Sequence, residues 1–405
     1  MPPVSGKRDV AVIGAGIIGL ATARALMLAR PKLRVVVVDK EPQVGFHQTG
    51  HNSGVLHSGI YYTPGSLKAT LCRRGKAAME RYADERGIPS ARLGKLIVAI
   101  DDSEYARLDE LQRRATANGL EGLRVLSSAE IVDVEPEAVG LRALHAPETG
   151  VIDYGAVARA LADDVHSLGG SVMLGEDVRG ISVRNDTVVL SATTGTIEAA
   201  NLISCGGLQS DRIAKAAGLR PPVRIVPFRG DYYTLTPAAA EKVRGLIYPV
   251  PDPRFPFLGV HFTRKVDGSV VAGPNAVLAL AREGYRRTAL APRDALAAVG
   301  YSGVWKFAVR HGRFAVGEVW RDLSKRAFVD DMRRYVPSIA AADVTFGPSG
   351  IRAQAMLPDG GLVDDFLIEG TSRMMFVLNA PSPGATASLA IGEELANRAF
   401  RDLLS

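Results

Sequence analysis

Residues 9–40 read DVAVIGAGIIGLATARALMLARPKLRVVVVDK. An apolar run ending in glycines, a stretch with apolar residues at helical spacing, and a second β-branched run closed by Asp39 and Lys40 form one β-α-β unit. Gly14, Gly16 and Gly19 have the spacing G-x-G-x-x-G, and Asp39 follows about twenty residues on, where a dinucleotide site puts its ribose-binding carboxylate. Each residue has a physical task. Gly14 permits a tight turn, Gly16 lets a pyrophosphate approach the backbone, and Gly19 lets helix and strand pack closely. The helix start, at Ile17 and Ile18, turns free N–H groups toward phosphate. Glycines in turns are ordinary; the strand before, the helix after and the closing acid make this triplet specific.

Around this unit the composition is that of a globular protein. A chain of 405 residues exceeds what one core usually holds, so two domains are expected. Hydrophobic residues make up 47% and charged residues 23%, and no window approaches the roughly 18–20 apolar residues of a spanning helix. The opening MPPVSGKR is not read as a signal peptide, because the apolar run behind it is a strand and glycine turn whose helix carries Arg24. Cys72 and Cys205 are too far apart for a disulfide framework or a C-x-x-C site, which suits a reducing cytoplasm and argues against a metal centre. Net charge is +6, from 49 basic and 43 acidic residues. The arginines are scattered without a nucleic-acid motif, so nucleic acid is not the expected partner. An anionic substrate, or loose attachment to an anionic membrane surface, accounts for the charge.

Beyond residue 40 the order of signals is consistent with one interrupted domain. The segment EPQVGFHQTGHNSGVLHSGIYYTPG is a long polar loop of the kind that carries function. A helix then ends at Gly87, a strand covers 95–100, a charged helix 103–117, and a short helix lies within 126–137. A helix from Tyr154 stops at Gly169-Gly170, and a strand ending in Cys205-Gly206-Gly207 turns into a helix from Ser210. From Arg224 the chain is β-rich with Pro and Asp-Gly turns, suited to an antiparallel sheet, and helices are expected over 292–303 and 319–336. A hairpin, a strand, a Gly-Pro loop and a helix from about Thr386 close the chain. The expected fold class is α/β: a Rossmann-type domain from 1–87, 148–222 and 346–405, with a discontinuous antiparallel β-sheet substrate domain from 88–147 and 223–345.

Several motifs are long and unusual: HQTGHNSGVLHSGIYY, PFRGDYY, IYPVPDPRFPFLGVHFT, GPNAVLA, GIRAQA and NAPSP. With the glycine turn they resemble the L-2-hydroxyglutarate oxidase/dehydrogenase family, flavoproteins of the D-amino-acid oxidase and glycine oxidase group, from about residue 9 to the end. The resemblance implies FAD as cofactor and oxidation of L-2-hydroxyglutarate to 2-oxoglutarate. Electrons would pass to a respiratory quinone or to oxygen; the location would be cytoplasmic, and a quinone acceptor would require at least peripheral contact with the inner membrane. Two positions depart from the family pattern: Asp39 stands where glutamate is usual, and Gly384 where alanine is usual. Rival readings are an amino-acid or glycerol-phosphate oxidising member of the fold, and a flavin-containing sensor of 2-oxoglutarate.

The implied chemistry needs a base, a carboxylate anchor and donors for charge on the flavin. Arg352, before an Asp-Gly turn, occupies the place of the substrate-carboxylate arginine in glycine oxidase-like proteins. Its guanidinium matches a carboxylate with two hydrogen bonds. For the second carboxylate Arg229 and Lys95 are candidates, each equally readable as an edge charge. His261, interrupting an apolar strand, is the first choice of base and His57 the second; a lone histidine in such a run is also readable as a satisfied core residue. Tyr61 and Tyr62 line the pocket or pack. His47, Thr49, Gly50, Asn52, Ser53 and Gly54 are expected to shape the flavin and ribityl site. Val178 would meet the adenine through its backbone, and Cys205 and Gly206 pack beside the cofactor. Pro381, Ser382, Pro383, Gly384, Ala385 and Thr386 would lead a helix N-terminus to flavin N1 and O2.

Overall fold

The computed structural model describes residues 7–253 and 257–404, and only the backbone of 313–316. Residues 254–256 of the IYPVPDPRFPFLGVHFT motif therefore lie outside the described residues. The period-2 logic of the opening strands explains the first sheet. Val10 and Val12 of strand Arg8–Ile13 and Val35 and Val37 of Val35–Val38 enter one apolar cluster. Ala11, Ile13, Val36 and Val38 point the other way into a second, so both faces are buried, as a parallel sheet requires. Five strands run parallel in the spatial order Ser171–Met173, Val35–Val38, Arg8–Ile13, Gly195–Ser204, Met374–Asn379. Helices Ile17–Ala29, Tyr154–Ser167 and Ser388–Asp402 contribute Leu20, Leu161 and Leu395 to the cluster on one face.

The second sheet has nine strands. Its long pair, Arg224–Leu235 and Val344–Met356, is antiparallel and places Phe228 opposite Arg352. Next come Val270–Gly273, His261–Arg264, Leu246–Pro249 and Lys95–Ala99. The sheet is not wholly antiparallel, as the sequence led us to expect, because Leu246–Pro249 pairs parallel with Lys95–Ala99. These two strands arrive from separate passes of the chain, so no tight hairpin forces them antiparallel. Where two helices were expected across 292–336 there are four: Pro292–Val299, Ser302–Arg310, Gly312–Leu323 and Lys325–Arg333. Gly300 and the His311-Gly312 step break them. The middle pair escaped notice because apolar Trp305 and Val309 face outward while Phe307 faces in, which blurs the helical period.

Candidate active site

At the head of the first sheet Gly14 has φ +107°, open only to glycine, and a Cβ there would lie 2.5 Å from the Cys205 carbonyl oxygen. A Cβ on Gly19 would overlap the Gly14 carbonyl oxygen. At Gly16 a Cβ would meet only the Thr49 hydroxyl, at 3.5 Å, so this is the face a phosphate can approach. Gly16 caps the helix without a side-chain hydrogen bond, and Ile17 N–H donates to Thr49 Oγ1 at 3.1 Å. Asp39 is held by two backbone donors, Ala15 N–H at 2.6 Å and Glu41 N–H at 2.9 Å. This leaves lone pairs for a ribose hydroxyl. Val178 N–H and C=O bond to no other group among the described residues, which suits an adenine edge.

These groups line one end of a cavity of about 990 Å³, near the upper limit of ligand sites, ~300–1,000 Å³. Lys40 bridges Glu41 and Glu283 at 2.8 and 2.6 Å. His47 Nε2 lies 2.9 Å from Glu41, and its Nδ1 3.0 Å from Tyr285 OH. The three potential metal ligands here, Glu41, His47 and Glu283, thus already have the Lys40 ammonium among them. Asn52 fastens its loop through Gln48 and Thr49 carbonyls and Gly54 N–H, and Ser53 and Tyr232 line the cavity beside it. Gly19, Gly50 and Gly54 shape this backbone without lining the cavity. Burial pushes the Cys205 thiol up to about 12, so it packs rather than reacts.

Beyond the loop Pro381–Thr386 the chamber changes character. The closing helix starts at Ser388, two residues later than expected, because Thr386 is spent on the loop: its hydroxyl meets Tyr154 OH at 2.8 Å and accepts His57 N–H at 3.1 Å. The N–H groups of Gly384, Ala385 and Thr386 donate to nothing among the described residues, a row of donors fit for negative charge on a flavin ring.

His261, His57, Tyr61, Tyr62 and Arg352 all line this inner end. His261 is buried, and its Nδ1 lies 2.8 Å from the Gly259 carbonyl oxygen. The carbonyl accepts only, so Nδ1 carries the proton and Nε2 keeps its lone pair. Burial, with the charges of Lys95 and Arg352, pulls His261 down to about 3 and keeps it neutral. Burial likewise holds His57 well below the usual range. Arg352 has no carboxylate partner among the described residues; its guanidinium lies 5.3 Å from the Phe257 ring centroid.

Two expected substrate cations are elsewhere. Arg229 does not line the cavity: it is buried against Asp231 and Asp322, both at 3.1 Å, and each of its three guanidinium nitrogens is already hydrogen-bonded within the protein. Lys95 is also off the wall, its ammonium 3.9 Å from the Tyr248 ring centroid and 5.1 Å from that of Tyr61. Burial brings it down to about 7. The sequence reading missed Tyr232, Tyr248 and Lys68 on the wall. The rings of Tyr248 and His261 are in contact, their centroids 3.9 Å apart and their planes tilted by 31°. Strand alternation offers a signal for Tyr232, since neighbouring Tyr233 is fully buried in the core behind the sheet. Lys68 bonds at 2.9 Å to Asp364, whose side chain is 95% exposed and easily exchanged for another anion.

The model of the FAD-dependent oxidoreductase family matches residues 9–398. Among solved structures, FAD-bound L-α-glycerophosphate oxidase from Mycoplasma pneumoniae superposes with TM-score 0.79 at 24% identity, covering 98% of this chain and 95% of that one. Glycine oxidase from Geobacillus kaustophilus gives 0.75 at 19%, covering 98% and 96%. At such identities these establish the fold. Mitochondrial L-2-hydroxyglutarate dehydrogenase of Nematostella vectensis is 46% identical over 96% of this chain and 90% of its own length. The human protein of that name is 43% identical over 96% and 88%, and that of Escherichia coli 42% over 96% and 92%. The glycine turn, the donor loop and a full-length match together place this chain among the FAD-dependent oxidoreductases, in the family of the L-2-hydroxyglutarate dehydrogenases.

Proposed function

We propose that this chain oxidises L-2-hydroxyglutarate to 2-oxoglutarate. The observation that carries the reading is the pairing, in one chamber, of a neutral His261 with a free Nε2 and an Arg352 without an anionic partner. FAD, when bound along the cavity, supplies the acceptor for the hydride. Arg352 binds the carboxylate beside the hydroxyl carbon through two parallel hydrogen bonds. Lys68, releasing Asp364, takes the distal carboxylate in place of Arg229. His261 Nε2 accepts the hydroxyl proton, and the approach of two carboxylates raises its basicity as the substrate settles. The wall of Tyr61, Tyr62, Tyr232 and Tyr248 keeps water from the reacting carbon. In this reading residues 1–87, 148–222 and 346–405 form the cofactor domain and 88–147 and 223–345 the substrate domain, with Lys68 and Arg352 reaching from the first to the substrate, Arg352 on a strand that pairs in the second sheet. Electrons leave to a quinone or to oxygen.

Anaerobic mixing of the flavin-loaded protein with L-2-hydroxyglutarate, its D enantiomer and L-lactate, followed by the oxidised-flavin absorbance, tests this. Bleaching by the L enantiomer alone supports the assignment. Bleaching by none of the three, or by an amino acid instead, removes it.

A further inference from the structure

One buried cation beside the chamber has no task in the chemistry proposed above. Lys95 opens the strand Lys95–Ala99 and is 1% exposed. Among the described residues its ammonium pairs with no carboxylate and donates to no acceptor. The Tyr248 and Tyr61 rings, with centroids 3.9 and 5.1 Å from Nζ, compensate it in part. A charge guarding a strand edge reaches water; this one is held inside, where an isolated ammonium is costly.

Lys95 is off the cavity wall, but both rings are on it. Tyr248 also contacts His261, and the Tyr61 hydroxyl is buried without a hydrogen-bond partner among the described residues. The two tyrosines thus stand between a hidden amine and the chamber of His261 and Arg352. No neighbour balances the amine. Burial pushes the Cys72 thiol, from the helix Leu67–Arg86, up to about 12, raises the Tyr61 and Tyr248 phenols, and keeps His57 and His261 neutral. The strand partners of Lys95 on either side are Ala146 and Leu246. The other charges felt by the two histidines, those of Lys68 and Arg352, are positive. Among these buried groups Lys95 alone titrates near neutrality, at about 7. A dicarboxylate brings two negative charges to a wall of neutral groups and cations, Asp364 at its exposed rim excepted. Negative charge nearby favours the ammonium over the amine.

We propose that Lys95 is a positioning residue for the dicarboxylate: its Nζ takes one proton from solvent as the ligand settles, and the resulting charge holds the ligand through the Tyr61 and Tyr248 rings. The step is a protonation of amine to ammonium, with no electron moved. It rests on the oxidation reading only in taking the chamber's ligand to be a dicarboxylate.

The test uses the flavin-loaded full chain and glutarate, a dicarboxylate with no hydroxyl to oxidise, titrated by its perturbation of the flavin absorbance from pH 6.5 to 9. Affinity should fall by up to about tenfold per pH unit above pH 7. Calorimetry at pH 8 in two buffers of different ionisation enthalpy should show uptake of about half a proton or more per glutarate. Lys95→Met should keep its flavin, bind glutarate about tenfold or more weakly at pH 6.5, and lose the pH dependence. Lys95→Arg, whose charge is fixed, should lose the pH dependence and keep the tight binding. A merely structural lysine would not separate the two variants in this way. Flat affinity across the range, no proton uptake, no glutarate binding, or a pH dependence that persists in Lys95→Met overturns the proposal. Should neither variant hold flavin, the calorimetry on the unaltered protein still decides. Glutarate binding with proton uptake but no bleaching by L-2-hydroxyglutarate would count against the oxidation reading and leave the role of Lys95 standing. Bleaching by the L enantiomer with pH-independent glutarate affinity would do the reverse.

Discussion

The two ends of the cavity are built by different means. The cofactor end is made of backbone: a glycine at φ +107°, an uncapped helix start, donors at Gly384 to Thr386, and a carboxylate fixed by two main-chain N–H groups. The substrate end is made of side chains carried in on separate strands, Tyr248 from Leu246–Pro249, His261 from His261–Arg264 and Arg352 from Val344–Met356. A backbone site tolerates almost no change of shape, whereas a side-chain site loses one function at a time.

The sharpest break of that contrast is at Gly19. Gly19→Val places two methyl groups against the Gly14 carbonyl, and the variant should purify without flavin, read from its visible spectrum. Retention of flavin would mean that the turn is looser than drawn. Next, Arg352→Met should raise KM for substrate on the order of 100-fold, with flavin content unchanged. An unaltered KM would reassign the anchor. Arg229→Met should behave in the opposite way. It removes the closer guanidinium from Asp231 and Asp322, whose side chains are only 4% and 14% exposed, and leaves them Arg287 at 3.3 and 3.7 Å, so it should cost stability, up to about 3–5 kcal/mol, in denaturant melts while KM holds.

A quieter effect comes from pH. His261 sits near 3 when folded and near 6.5 when unfolded. Between those values the unfolded chain binds a proton that the folded one refuses, so stability falls as pH drops below about 6.5. His57 shifts in the same direction. For the same reason kcat/KM should show no acid limb near pH 6.5, and such a limb would place the free-enzyme base elsewhere. Smallest of all, Gly384→Ala brings its methyl to 3.3 Å from the Ala380 and Pro381 carbonyl oxygens, and should change stability by no more than about 1 kcal/mol.

The same contrast decides what could be read from sequence. Gly14, Gly16, Gly19 and Asp39 are legible because their task is local: the residues that make the turn are neighbours in the chain. Elements with a clear period, such as the helix from Tyr154, are legible for the same reason. Arg229 was misread because its partners, Asp322 and the Arg287 carbonyl, are brought to it only by folding, and a sequence does not say which arginine is already paired. Lys95 sits on the right strand, yet one layer behind the wall. Tyr248 gains its place from a tilted ring contact with His261 across two strands, which no spacing rule reports. The family motifs marked the right segments; geometry selected the residues within them.

The central claim, that His261 is the base at the side-chain end, is tested most directly by anaerobic single-turnover reduction in His261→Ala, with flavin content measured on the same sample. The variant should keep a full complement of FAD, with reduction by L-2-hydroxyglutarate slowed by about 10²–10⁴-fold. Reduction at the wild-type rate with FAD bound would contradict it and move the proton to another acceptor.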